Sequence, residues 1–320
     1  MAFKHSRSFK RCATVCILVV SSLVTAACSV TPSDEQTEDY SETTESADQS
    51  VPAYEPSLEG LLGRVGRINS NKLVMLPHTP QLSAPLKAKL TAQIKAIKKA
   101  GANVGILMID TETGQGLAYN AETQFYGAST IKGPYVVAIN KFLADDVTDA
   151  DETLMYNAID ASDNEAYIAL RTNYGDDLFS FFADNANAPD IDREEYYPYL
   201  STKELTALWA EMYDYFFLNP NGRADTTRNF FTSPYNSFIY QSLGDEYTTY
   251  TKPGWIDIDP IARNDAGIIE TDDGTYLLAI MSTAFNEEEK LMDLTATMDE
   301  IHQDLTASKK TTSEVNEQKP

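Results

Sequence analysis

Residues 127–135 read GASTIKGPY, and VVAINKFL follows at 136–143. The second run reads as a helix, so the stretch before it is a helix start. Ser129 and Lys132 stand three apart there, which on a helix puts them on one face, one turn from each other. A hydroxyl within reach of an amine is a nucleophile with a base, provided the amine is neutral. Burial and a second positive charge both push a lysine that way. Gly133 and Pro134 then disfavour the helix they sit in, because Pro134 removes the bond to the carbonyl of Thr130. Local rules are broken most often at functional sites. The bland alternative is a helix start capped by Ser129 with a solvated Lys132, and about one S-x-x-K is expected by chance in a chain of this size.

Working outward, NAIDASDNEAYIALRTNYG places Ser162, Asp163 and Asn164 at the start of another helical pattern. Alone, SDN is an excellent helix N-cap. Further on, TYTKPGWID puts Lys252, Pro253 and Gly254 on a strand, where the bland reading is a turn or an edge strand with a solvated lysine. Upstream, Ser83 starts a helix with Leu86, Leu90, Ile94 and Ile97 on one face. NVGILMID and QGLAYN, joined by TETG, read as a hairpin. The pattern then stays helical for over a hundred residues, with STKE at 201–204 as a capping box. Strands return at EYTTYTKPGW, ARNDAGIIE and GTYLLAIMS, and NEEEKLMDLTATMDEIHQDL closes as an amphipathic helix. Strands at both ends and helices between predict an α/β (α+β) fold: an antiparallel sheet flanked by helices with an inserted helical lobe. The cleft between two such lobes is a common place for a site.

The chain has 320 residues and a formal net charge of −23, a poor match to nucleic acid or an anionic membrane. The first 28 residues carry Lys4, Arg7, Lys10 and Arg11, no acid, and the apolar run ATVCILVVSSLVTAA. That run is short of the ~20 residues a membrane span needs, so 1–27 reads as a signal peptide. LVTAAC resembles the lipobox of bacterial lipoproteins, in which the cysteine, here Cys28, becomes the lipidated N-terminus; Thr25 replaces the usual leucine. Plain cleavage after Ala27 is the alternative and gives a secreted protein. Either way the expectation is an exported, cell-envelope protein that meets membrane only through a lipid on Cys28. Residues 28–75 begin acidic and rich in Ser and Thr and read as a disordered tether, 76–305 as the folded domain, and 306–320 as a disordered tail.

Missing chemistry narrows the field. The three cysteines, Cys12, Cys16 and Cys28, all belong to the signal, so the exported part has no thiol for catalysis, disulfides or metal. Its histidines are His78 and His302, both read as surface or loop residues, and neither sits in a recognisable Ser-His-Asp arrangement. There is no ligand spacing for zinc and no glycine-rich phosphate loop, so no metal and no cofactor is expected.

The order S-x-x-K after a hairpin, SDN in the helical middle and K-x-G on the first returning strand resembles the penicillin-recognising serine enzymes, above all class A β-lactamases and related D-alanyl-D-alanine peptidases. The likeness covers about 83–305 and implies a β-lactamase/transpeptidase-like fold with a somewhat trimmed helical lobe, since the gap between Lys132 and Ser162 is shorter than usual. It implies Ser129 as the acylated nucleophile, Lys132 as its proton acceptor and Ser162 as a relay to the leaving nitrogen. It also implies Asn164 on the substrate amide and Lys252 as positive potential for a substrate carboxylate. The backbone N–H groups of Ser129 and Trp255, the residue after Gly254, would form the oxyanion hole. The implied substrate is a small molecule or a peptidoglycan peptide.

Two departures stand out. Pro253 replaces the usual threonine or serine and brings neither hydroxyl nor N–H, with Thr249 and Thr251 as candidate substitutes. The stretch ADNANAPDIDREEYYPYLS lacks the family's ExxLN pattern. It offers Glu194 and Glu195: either is the deacylation base, or neither. The expectation is a serine acyl-hydrolase of β-lactams or related cell-wall amides. The alternatives are a penicillin-binding-type peptidase with slow deacylation and a silent envelope binding protein.

Overall fold

Every residue of VGILMID at β2 (Val104–Asp110) is buried, because the strand is covered on both faces. The computed structural model describes residues 53–77, 79 and 81–317, with side chains to 307. The chain divides into units Met1–Asp39 and Tyr40–Pro320, and the first lies wholly outside the described residues, as do Cys28 and His78. In β2, Val104, Ile106 and Met108 face one side and Leu107 and Ile109 the other, the period of two that a pleat imposes. The first set packs on α2 (Ala84–Lys99) and α10 (Glu288–Glu317) through Leu90, Ile94, Ile97, Leu294, Met298 and Ile301.

TETG returns the chain as β3 (Gly116–Tyr119), antiparallel to β2 as the hairpin reading requires. On the other edge of β2 lies β9 (Gly274–Ser282), then β8 (Ala262–Thr271), then β6 (Thr248–Thr251) with β7 (Gly254–Ile256) continuing along β8. All pairings are antiparallel. The register of β6 on β8 (Thr251 opposite Gly267) and of β7 (Gly254 opposite Asn264) is continuous through Pro253. Pro253 is tolerated because this is an edge: the strand's inward bond is made by Lys252, whose N–H donates to Ala266 O at 2.9 Å.

Between the two halves of the sheet run the helices α3 (Lys132–Phe142), α4 (Asp149–Ile159), α5 (Asn164–Tyr174), α6 (Asp177–Asn185), α7 (Thr202–Tyr213), α8 (Ala224–Asn229) and α9 (Phe238–Leu243). α3 is buried continuously from Lys132 to Asn140, so it is the hub of the lobe. Its entry is gentler than GASTIKGPY suggests. A 3-10 turn, Ala128–Ile131, precedes it, and Gly133 and Pro134 fall in the first helical turn, where a missing N–H costs little. The STKE box forms as read: Ser201 Oγ accepts from the Glu204 N–H and Glu204 accepts from the Ser201 N–H. Ser83 sits at the N-cap of α2 but makes no side-chain cap bond.

Three expectations need correction. The domain does not begin at 76: α1 (Leu58–Gly66) and β1 (Val74–Met75) precede it. Leu61, Leu62, Val65 and Ile68 repeat at helical spacing and bury against the lobe's core, while β1 extends the sheet beside β3. The tail expected from 306 continues α10 to Glu317, with Leu305 and Thr306 buried. His302 is no surface residue. It is fully buried, bonded to Asp110 Oδ2 at 2.9 Å and stacked 4.3 Å from the Tyr276 ring.

Candidate active site

Among the described residues, five non-glycines have positive φ: Asn120, Ala128, Ser162, Asn187 and Asn236. Asparagine tolerates that region and the other two do not. Ala128 (φ 46°) stands directly before Ser129, and Ser162 (φ 57°) opens SDN. The backbone strain therefore falls on two of the three motifs, as strained residues do where a site needs them held.

The Ser129 turn is held from several sides. Thr130 Oγ1 donates to Gly127 O at 2.7 Å, and Asn264 Nδ2 on β8 donates to Tyr126 O at 2.8 Å. Gly254 of β7 lies against it so closely that a Cβ there would sit 2.6 Å from Thr130 N and 2.8 Å from Ser129 N. Only glycine lets the strand approach the Ser129 amide so closely, which brings Trp255, next in the strand, to the same edge. Ser129 caps no helix; α3 begins beyond it, at Lys132.

Lys132 is fully buried. Its Nζ donates to Ser162 O at 2.6 Å and to Asn164 Oδ1 at 2.7 Å. Burial lowers its pKa to about 8, with Asp163 opposing the shift. A neutral amine has two N–H bonds and one lone pair. The two acceptors take the N–H bonds, and the lone pair is left for a hydroxyl proton. Asp163 supplies the cap of α5, accepting from Glu165 and Ala166 N–H groups, so capping does not consume Ser162 or Asn164.

Lys252 is also fully buried and donates to Ser162 Oγ at 2.8 Å and Pro253 O at 3.1 Å. Burial, then the nearby Lys132, pushes its pKa well down. Ser162 thus bridges the two lysines, one through its carbonyl and one through its hydroxyl. S-x-x-K, SDN and K-x-G meet here, though 30 and 90 residues separate Ser162 from the two lysines in sequence. Neither threonine replaces the missing hydroxyl at Pro253. Thr251 is buried and donates to Ser237 Oγ at 2.9 Å, and Thr249 is buried too.

The glutamates are not brought in. Glu194 and Glu195 are both exposed, and neither bonds to Ser129, Lys132, Ser162 or Asn164 among the described residues. Their loop instead contributes Tyr197, whose hydroxyl donates to Asn164 Oδ1 at 3.0 Å. Burial raises its pKa to about 12, so it is a neutral donor and no base. The loop is pinned by β5 (Tyr199–Ser201) pairing with β4 (Gln124–Tyr126), and by Gly127 N donating to Pro198 O at 2.9 Å. Arg171 of α5 stacks under Tyr196 (4.4 Å to the ring centroid) and donates to Asp176 at 2.8 Å and to the Tyr167 hydroxyl at 3.0 Å. Sequence reasoning missed Tyr197 and Arg171. The aromatic run in EEYYPY was visible, but nothing local says which ring turns inward. The cavities of about 380 and 400 Å³ beside α1 contain none of these residues.

The chain matches the model of the β-lactamase enzyme family over residues 86–178 and 162–306. Among solved structures, a β-lactamase from Sphaerobacter thermophilus shares its fold with a TM-score of 0.57 at 17% identity, over 66% of this chain and 95% of that one. TLA-3 extended-spectrum β-lactamase gives 0.57 at 15% identity, over 69% and 99%. L2 complexed with relebactam gives 0.53 at 16% identity, over 70% and 99%. No curated protein matches the chain.

Proposed function

Because the chain belongs to the β-lactamase enzyme family, we propose that it is a serine acyl-hydrolase that forms an acyl-enzyme on Ser129 and acts on β-lactams or related cell-wall amides. The observation that carries this reading is Lys132: a buried amine with pKa lowered to about 8, its two acceptors in place, in the turn that follows Ser129. Neutral Lys132 takes the Ser129 proton as Oγ adds to the substrate carbonyl. The oxyanion lies between the N–H groups of Ser129 and Trp255. The C–N bond then breaks, and the nitrogen leaves with a proton passed through Ser162, whose hydroxyl Lys252 orients. Asn164 holds the substrate amide and the Lys132 amine together.

A second reading, a penicillin-binding-type peptidase in which the acyl group persists, draws on the loop. Tyr197, a donor, occupies Asn164 where a carboxylate base would serve hydrolysis. A catalytically silent envelope binding protein is the third. Export on a lipidated Cys28 would place any of them outside the cytoplasm. Intact mass spectra over time after penicillin addition separate the three. Turnover without a standing adduct is the first, a lasting adduct on Ser129 the second, and the absence of both adduct and turnover sinks both enzyme readings. Ser129→Ala must abolish whatever adduct is seen.

A further inference from the structure

Resting on the acyl-enzyme reading, we infer that Asn264 is a positioning residue for acylation: its amide ties the turn before Ser129 to β8, the strand on which β7 and Trp255 are mounted, and so fixes the two N–H groups of the oxyanion hole relative to each other. Asn264 is fully buried. On one side its Nδ2 donates to Tyr126 O at 2.8 Å and to Gly127 O at 3.3 Å. On the other its Oδ1 accepts from the Ser282 N–H at 3.0 Å. An amide has two N–H bonds to give and here meets two carbonyls, so its partners dictate its orientation. The β8–β9 register ends at Asp265 opposite Ile280, and beyond it the Asn264 side chain accepts from β9.

The two carbonyls belong to the residues just before Ala128, whose φ of 46° alanine does not favour. A strained residue keeps its conformation only where its surroundings over-determine it. Thr130 helps from inside the turn: its N–H and its hydroxyl both donate to Gly127 O, at 3.2 and 2.7 Å. Those bonds shape the turn but move with it. The Gly127 N–H, on Pro198 O, ties the turn to the loop. Asn264 ties it to the sheet.

In the β7–β8 register Asn264 stands directly opposite Gly254, the residue before Trp255. One side chain therefore spans from the peptide groups that precede Ser129 to the strand pair that carries Trp255. An oxyanion must lie about 2.7–3.1 Å from both donors at once. Their separation has to be held, because about 1 Å of misplacement is worth about 10² in rate. Asn264 bonds to neither the nucleophile nor the base; it acts through the backbone. A buried amide that only completed the end of the sheet would affect stability and leave the rate alone.

The test follows labelling of Ser129 in the full chain by a neutral fluorophosphonate, read by intact-protein mass spectrometry. The phosphoryl oxygen of the probe stands in for the acyl carbonyl oxygen. Asn264→Ser should lower the limiting rate about 10- to 100-fold. It should leave the midpoint of the rise with pH where the wild type has it, since Lys132 is untouched. Adding Ala128→Gly should recover most of the loss, because glycine keeps a positive φ without being held there. Leu61→Ala is the control. It weakens the lobe's core from α1, away from the turn, and should lower the melting temperature without lowering the limiting rate. Four results overturn the inference: Asn264→Ser labels at the wild-type rate; it shifts the midpoint and so acts through Lys132; Ala128→Gly rescues nothing; or Leu61→Ala slows labelling as much. If Asn264→Ser does not fold, with or without Ala128→Gly, Asn264 serves folding alone and the inference is again refuted. If the wild type itself is not labelled on Ser129, the acyl-enzyme reading falls and this inference with it.

Discussion

Lys132 sits fully buried with two oxygen acceptors on Nζ and titrates at about 8, so at pH 7 roughly one molecule in ten holds it neutral. The groups that face it are Asp163, the rings of Tyr167 and Tyr197, and Lys252 through Ser162. Acylation of Ser129 should therefore rise with pH through about 8 and level off above it, measured as the rate of adduct formation. Lys132→Arg fixes the charge and removes the lone pair, and should cost about 10²–10⁴ in that rate. The sign for stability follows from the same shift. The folded pKa lies below the ordinary value of 10.5, so between about 8 and that value the unfolded chain binds more protons. The contribution of Lys132 to stability grows as pH rises across that window, and Lys132→Met should flatten that part of the melting-temperature profile. The spacing of Ser129 and Lys132 made the pair legible in sequence, because three residues on a helix fix a face. The depressed pKa was not legible, since it comes from burial by α5 and the loop.

At the scale of elements, the segment joining α6 to α7 decides what stands opposite Ser129. The β4–β5 pairing and the Arg171 stack fix it so that Tyr197 turns in and Glu194 and Glu195 turn out. Tyr197→Phe removes one neutral hydrogen bond. It should change loss of the acyl group by no more than about tenfold, whereas removal of a general base costs 10²–10⁴; single-turnover mass spectrometry distinguishes the two. The start of α7 is purely structural. Ser201→Ala removes the hydroxyl that accepts from the Glu204 N–H and donates to its carboxylate, leaves the Ser201 N–H bond in place, and should cost about 1 kcal/mol, lowering the melting temperature by about 2–4 °C. That box was readable because capping is local: both partners lie within four residues. Which tyrosine of EEYYPY meets Asn164 was not, because that choice belongs to a loop whose path is set by a strand about 75 residues earlier and by an arginine on α5.

At the scale of the molecule, the lobe's core reaches back to α1, which packs on α7 and carries Leu61, Leu62 and Val65 into the same cluster as Tyr135 and Trp209. A chain beginning at residue 76 should therefore lose cooperative unfolding in denaturant, while one beginning at 53 keeps it. Leu61→Ala alone should cost about 2–5 kcal/mol by equilibrium denaturation. Sequence determined the alternation of strands and helices, the capping box and the three motifs S-x-x-K, SDN and K-x-G, because each depends on spacing within a few residues. It also limited Pro253 to an edge strand or a bulge, since a missing N–H cannot serve an inner ladder. Only the tertiary structure decided where the domain begins, that His302 is a core residue paired with Asp110, and that Ser162 bridges two buried lysines. It alone decided that the loop offers the site a phenol in place of a carboxylate. Those outcomes join parts of the chain far apart in sequence. Burial and the charges across a cleft act through space, and no pattern along the chain records them.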